Sequence, residues 1–378
     1  MSEYQYYEFQ AIDRPLDAAE QAALRALSTR ARITATGFVN HYEWGDLKAD
    51  PRHLMERYFD LFLYLANWGT RRLSIRLPAR LIDIGALERF CPDDEVADVR
   101  IAGPHAIVEI WRNEIDQCDW DDDGSGWLAS LAPLRGDIML GDLRAFYLIW
   151  LMAVENGLVG DEEMEPLPGI APLSAPLGAF ADFFAINSDL VDAAAAAGAP
   201  PPPEAERAAA ETFIRSLPEE DKAALLLRLH DGDSHLGAEL RQRRMAVSGR
   251  HSDTGGARRS AGELREKARR MTTERHRLTA EKVAAERRHR EAEQAQARDR
   301  HLARLSERGE APWREVEELI SRRNQPGYQR AVTLMIDLDE VARSRGEEEA
   351  FARRIAGIRA RHDRKGRLME RLDTAELR

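Results

Sequence analysis

Apolar and polar positions change period several times along the chain, and each change predicts an element. Tyr4 to Ile12 is rich in β-formers. Leu16 to Thr29 repeats with helical spacing through Leu16, Ala23, Leu24 and Leu27, and Ile33 to Tyr42 returns to a strand pattern. Asp50 followed by Pro51 is a helix start, with the carboxylate as N-cap and proline at the first helical position. The apolar face of that helix runs Leu54, Tyr58, Leu61, Phe62, Leu65. Thr70 to Leu77 alternates strictly, with Leu73, Ile75 and Leu77 on one face and Arg72, Ser74 and Arg76 on the other. Val96 to Ile101 and Ala106 to Trp111 read as two further strands joined through Gly103-Pro104.

From Trp127 the period becomes helical. Leu140 to Leu158 is apolar nearly all round, as a buried helix is, and Leu177 to Ala197 closes the first unit after a Pro-punctuated connector. Residues 196–203 are a Pro-rich linker, and we place the main boundary there. Residues 204–247 form a short helical segment, 248–260 a loop, and 261–308 one long Arg-rich helix opened by a Ser260/Glu263 capping box. At 1.5 Å per residue such a helix is roughly 70 Å long. Residues 312–378 carry amphipathic helices built on Val316, Ile320, Met335, Ile355 and Leu368. The fold class is therefore α+β. An N-terminal mixed or antiparallel sheet with packed helices (1–195) precedes a mostly α-helical C-terminal region with a long charged helix.

Charge divides along the same line. Residues 1–200 hold 33 acidic and 16 basic side chains, and residues 201–378 hold 33 and 39. Six of the seven tryptophans lie before residue 151, so only the first half has rings for a large core. Asymmetry of this kind points to two units with different partners. The first 30 residues lack the apolar run of a signal peptide, and the ten-residue run Ala145 to Val154 is half of what spans a bilayer. A cytoplasmic protein without membrane contact is expected.

Three segments, YQYYEFQAIDRPL (4–16), FVNHYEWGDLKADPRHLMERYFDLFLYLANWGTRRL (38–73) and GSGWLASLAPLRGDIMLGDLRAFYLIWL (124–151), resemble a family of uncharacterised bacterial proteins over most of residues 1–190. That family transfers no activity and no functional residues. The tail, Tyr328 to Leu372, resembles the paired helices of tetratricopeptide-like solenoids without their 34-residue period, which implies a protein-interaction surface.

The long helix has one coiled-coil seam, Leu264, Met271, Leu278, Ala285 and Ala292. Its companion positions, Ala268, Arg275, Lys282 and His289, turn polar. Glu263–Lys267, Glu266–Arg270 and Glu286–Arg290 are spaced for ion pairs one turn apart. Residues 258–308 carry 16 basic and 9 acidic side chains, so DNA or RNA phosphates are possible partners through Arg265, Arg269, Arg270, Arg277, Arg287, Arg288 and Arg290. No aromatic side chains are interleaved there for base stacking.

Two acidic clusters have metal-ligand character. Asp119, Asp121 and Asp123 with Gly124 match the first half of a calcium loop, but position 12 is Ser130 where a bidentate Glu belongs. His230, Asp231, Asp233 and His235 crowd two imidazoles and two carboxylates around Gly232, with His230, Asp233 and His235 as the candidate ligands, either for a metal or as the turn and cap between two helices. Arg72 and Arg76 give their strand a basic face, read either as edge-strand protection or as a groove for a phosphate or an acidic peptide. Cys91 and Cys118 form no metal spacing and no disulfide framework. No Gly-rich phosphate loop, nucleophile elbow or HExxH motif occurs. No cofactor is implied.

The expected function is a non-catalytic adaptor with an unidentified protein partner, its basic half contacting nucleic acid or a further protein. The rivals are a metal-dependent hydrolase or nuclease and an oligomer built through the long helix.

Overall fold

The computed structural model describes residues 3–92, 94–115, 122–196, 203–233, 235–247 and 258–377. The first elements are β1 (Gln5–Gln10), α1 (Ala18–Leu27), β2 (Arg32–Ile33), β3 (Gly37–Tyr42), α2 (Pro51–Arg57), β4 (Leu61–Ala66) and β5 (Arg71–Pro78). After them come α3 (Ile84–Glu88) and the hairpin of β6 (Ala97–Ala102) and β7 (His105–Arg112). The strands make one antiparallel sheet in the order β2-β3-β1-β4-β5-β7-β6.

The helix expected from Asp50 to Leu65 is two elements. Asp50 caps α2 as predicted, accepting the Arg52 amide, but α2 ends at Arg57 and Leu61–Ala66 is the central strand β4. Every residue of β4 is buried, so its apolar run has no alternation to distinguish it from helix. Gly69 turns β4 into β5 at φ +91°, where a Cβ would stand 2.6 Å from the Ile115 backbone nitrogen. The turn therefore requires glycine.

One face of the sheet carries Leu63, Leu65, Leu73, Ile75, Val108 and Ile110. It packs on α4 (Trp127–Leu131), α5 (Pro133–Met139), α6 (Arg144–Glu155), α7 (Ala175–Phe183) and α8 (Ser188–Ala195). Ten consecutive residues of α6, Ala145 to Val154, are buried, as its all-round apolar character requires. The other face carries Phe9, Phe38 and Phe62, packed with Phe59 of the α2–β4 connection, Leu24 of α1 and Leu54 and Met55 of α2.

Three helices follow, α9 (Pro203–Ser216), α10 (Glu219–His230) and α11 (Leu236–Val247), and then α12 (Ala261–Glu307). The Ser260/Glu263 capping box opens α12, with the Glu263 amide 3.2 Å from the Ser260 hydroxyl and the Ser260 amide 2.8 Å from the Glu263 carboxylate. Ala261, Leu264 and Ala268 enter the first core, and Thr272 donates to Asp189 at 2.6 Å. The two compact units, Met1–Glu274 and Arg275–Arg378, accordingly divide inside α12, whereas the sequence placed the division at 196–203. The tie comes from Arg259, whose guanidinium reaches buried Glu165 at 2.8 Å and the Ala193 and Ala194 carbonyls.

The second unit packs the end of α12 with α13 (Ala311–Ser321), α14 (Gln325–Arg345), α15 (Glu348–Arg361) and α16 (Gly366–Thr374). Leu305, Val316, Ile320, Ala331, Met335, Ile355, Leu368 and Leu372 form its core, and Val316, Ile320, Met335, Ile355 and Leu368 are the amphipathic positions expected from the sequence.

Candidate functional site

The strict alternation of β5 puts Arg72, Ser74 and Arg76 on the face away from the main helices. The register sets two of them in rows across three strands: Tyr64–Arg72–Trp111 and Phe62–Ser74–Glu109. Because α1 and α2 pack toward one part of this face, a recess of about 250 Å³ stays open over these rows. Phe62, Arg72, Ser74, Glu109 and Trp111 line it, with Arg52, Asp50 and Asn113 at its margin. Serine is the smallest side chain in the row, and its shortness leaves the depression between Phe62 and Glu109.

The charges there are not all alike. Arg52 is paired with Glu109 at 2.7 Å, and Arg100 lies 3.7 Å from the same carboxylate. Arg72 is exposed, lies 5.9 Å from the centre of the Tyr64 ring, and has no carboxylate partner among the described residues. Ser74 is 6% exposed, and its hydroxyl likewise has no hydrogen-bond partner among the described residues.

Arg76 does not share this recess. It is buried and donates to Asp60 at 2.8 and 3.1 Å and to the Met55 and Glu56 carbonyls. The edge-strand reading of these arginines is corrected as well, because β5 lies inside the sheet between β4 and β7. Around Asp60 the fold assembles a network that no sequence spacing announces. Asp60 accepts the Ile12 and Asp13 amides at 2.6 and 2.9 Å, and Arg135 bridges Asp13 at 2.7 Å and the Arg76 carbonyl at 2.8 Å. His235 stands 3.5 Å from Asp13. Burial pushes the Asp60 carboxyl up, but the two amides and Arg76 outweigh it and hold it below the usual range. His105 is lowered by burial and then by Arg76, against the opposing pull of Asp60 and Asp13.

Of the calcium-type loop, Asp119 and Asp121 lie outside the described residues. Asp123 accepts the Ser125 amide and hydroxyl at 2.9 and 2.6 Å, as a turn former does. Gly124, at φ +82°, sits where a Cβ would meet the Tyr6 ring at 2.6 Å, so close approach accounts for the glycine. Asp233 is held by Arg228 at 2.7 Å and Arg80 at 3.1 Å and accepts the His235 amide, while His230 is exposed. No group of three or more His, Cys, Asp or Glu side chains placed to hold a metal ion occurs among the described residues.

The arginines of α12 divide into two sets. Arg265 is engaged inside the first unit, on the Val154 and Val159 carbonyls and on Asp161. Arg270, Arg277, Arg287 and Arg290 are exposed and pair with Glu266, Glu281, Glu291 and Glu286, one turn away. Arg269 and Arg288 are exposed, with Arg288 reaching the Ala284 carbonyl at 3.3 Å. Glu263 caps the helix through Ser260. Every residue from Thr273 to Ala297 is exposed, Leu278, Ala285 and Ala292 of the expected seam included.

The second unit has a recess of its own, about 230 Å³, flanked by Trp313, Phe351 and Arg354. The Arg354 guanidinium lies 5.2 Å from the Trp313 ring centre and pairs with Glu310. No helix among the described residues is long and apolar enough to cross a membrane. No protein-family model, no curated protein and no solved structure matches the chain.

Proposed function

We infer that this chain is a non-catalytic adaptor, in which two folded units recruit separate partners and one helix couples them. The observation that carries this reading is the exposure of α12 on every face from Thr273 to Ala297. A helix polar all round gains nothing from burial and persists on its own pairs, each worth about 0.2–0.5 kcal/mol. Such a segment serves as a connector held apart from both cores. Each unit offers a recess with an aromatic wall and an arginine, as interaction surfaces do.

A second reading has a specific observation behind it. The exposed Arg269, Arg287, Arg288 and Arg290 keep nucleic acid open as the partner, since phosphates compete well with weak surface pairs. Fluorescence anisotropy of the full chain on duplex DNA and single-stranded RNA at 50 and 200 mM salt separates the two. The adaptor reading expects no salt-steep binding and a complex holding two different proteins, one lost on substituting Arg72 and the other on substituting Arg354. Affinity that falls by orders of magnitude with salt, and that Arg287→Ala with Arg288→Ala weakens, would replace it with nucleic-acid contact.

A further inference from the structure

We propose that the recess on the open face of the sheet is a binding site for a carboxylate carried on a small flat apolar body. The inference rests on the adaptor reading's first recess and names the chemistry it takes, and small acids titrated without any partner protein let the two fail separately. Two uncommitted groups converge there from neighbouring rows. Ser74 is 94% buried by its 6% exposure, yet its hydroxyl has no partner among the described residues. The hydroxyl is not one of the fully buried unpartnered side-chain atoms, so it opens onto the recess. A ligand oxygen entering the recess could accept a hydrogen bond from it. Two positions along the same strand, Arg72 supplies a planar fork without a carboxylate partner. That fork matches a carboxylate in two parallel hydrogen bonds.

The local charge selects the kind of anion. Arg52 is matched by Glu109 at 2.7 Å, and the Asp50 carboxylate, which accepts the Arg52 amide, stands at the margin. Arg72 is the one lining cation without a carboxylate partner among the described residues, so the recess offers a single uncommitted positive charge, which suits a singly charged group. A dianionic phosphate would face Glu109 and Asp50 with its second charge uncompensated. Phe62 and Trp111 stand in the two rows on either side of the strand and supply apolar walls for a planar body. A volume of about 250 Å³ takes an acid of aromatic-ring size or the end of one acidic side chain. A free aromatic acid and a partner's glutamate offer the same carboxylate to Arg72, and only the ring also fills the space between Phe62 and Trp111.

The test is a calorimetric titration of the full chain with benzoate, benzamide, phenyl phosphate and a capped glutamate tripeptide. Benzoate is expected to bind, and benzamide, equal in shape but uncharged, to bind at least about tenfold more weakly. Arg72→Gln is expected to weaken benzoate at least about tenfold and Arg72→Lys by less, because the charge stays while the fork is lost. Ser74→Ala is expected to weaken it a few-fold with an unchanged melting temperature. Tripeptide binding that Arg72→Gln abolishes would identify a partner's acidic side chain as the source; benzoate binding alone would identify a free acid. Both outcomes support the site. Equal binding of benzoate and benzamide, tighter binding of phenyl phosphate than of benzoate, no binding by either carboxylate, or indifference to Arg72→Gln would overturn it.

Discussion

Asp60 lies at the start of the central strand with 1% exposure, and its two oxygens accept two backbone amides and a guanidinium. Burying a charge is costly, and the arrangement persists because each oxygen has partners when the carboxylate is ionised. Removing one member leaves the others buried without a counter-charge, so Asp60→Asn and Arg76→Ala are each expected to destabilise the first unit by about 3–5 kcal/mol. The carboxyl is held below its usual range, so its contribution is fully present above the unfolded value near 3.9 and is lost as pH falls through the folded value. Urea midpoints should therefore drop below about pH 4 in the native chain. In Asp60→Asn that part of the fall should be absent; an unchanged acid limb would show that other carboxylates set it. Neither Asp60 nor Arg135 could be singled out in the sequence, because their partners lie tens of residues away. Only the strict alternation around Arg72, Ser74 and Arg76 was visible, and it gave their common face without saying which side chain stays free.

At the scale of the element, α12 shows how one periodicity serves three environments. Leu264 and Ala268 dock on the first core, Leu305 enters the second, and the span between them is exposed. The exposed span has pairs such as Arg277–Glu281 at 3.0 Å and Arg287–Glu291 at 2.7 Å, and no apolar face. Proline at Ala285 removes an amide and clashes with the preceding turn, a loss of about 3 kcal/mol in a helix interior. We expect Ala285→Pro to reduce helical circular dichroism and to speed amide exchange around it, while amides of Leu63 and Met335 stay protected. Loss of protection in either core would mean that the exposed span supports that core. The strand β4 offers the opposite lesson. Six buried residues in a row are compatible with helix or strand, and the pairing with β1 and β5 decides it.

For the whole molecule the decisive fact is that the first unit and the second have separate cores. Ile355 is fully buried in the second, and Ile355→Ala is expected to cost about 2–5 kcal/mol through lost contacts and the cavity left behind. Scanning calorimetry should resolve two transitions, with only one moved by Ile355→Ala. A single transition that shifts as a whole would show the two units unfolding as one.

The α+β class, the charge division, the helix starts at Asp50 and Ser260, and the apolar faces of the tail are all legible in the order of residues. These depend on neighbours within a turn or a strand, where capping chemistry and periodicity act. Tertiary structure alone decided that Leu61–Ala66 is a strand, that Arg76 and Arg265 are spent internally, and that Arg72 and Ser74 remain open beside Trp111. The same holds for the division of the chain within α12. Each of those outcomes turns on which distant group reaches a side chain first. Burial and ion pairing are settled by packing across the sheet, a relation that local spacing does not carry.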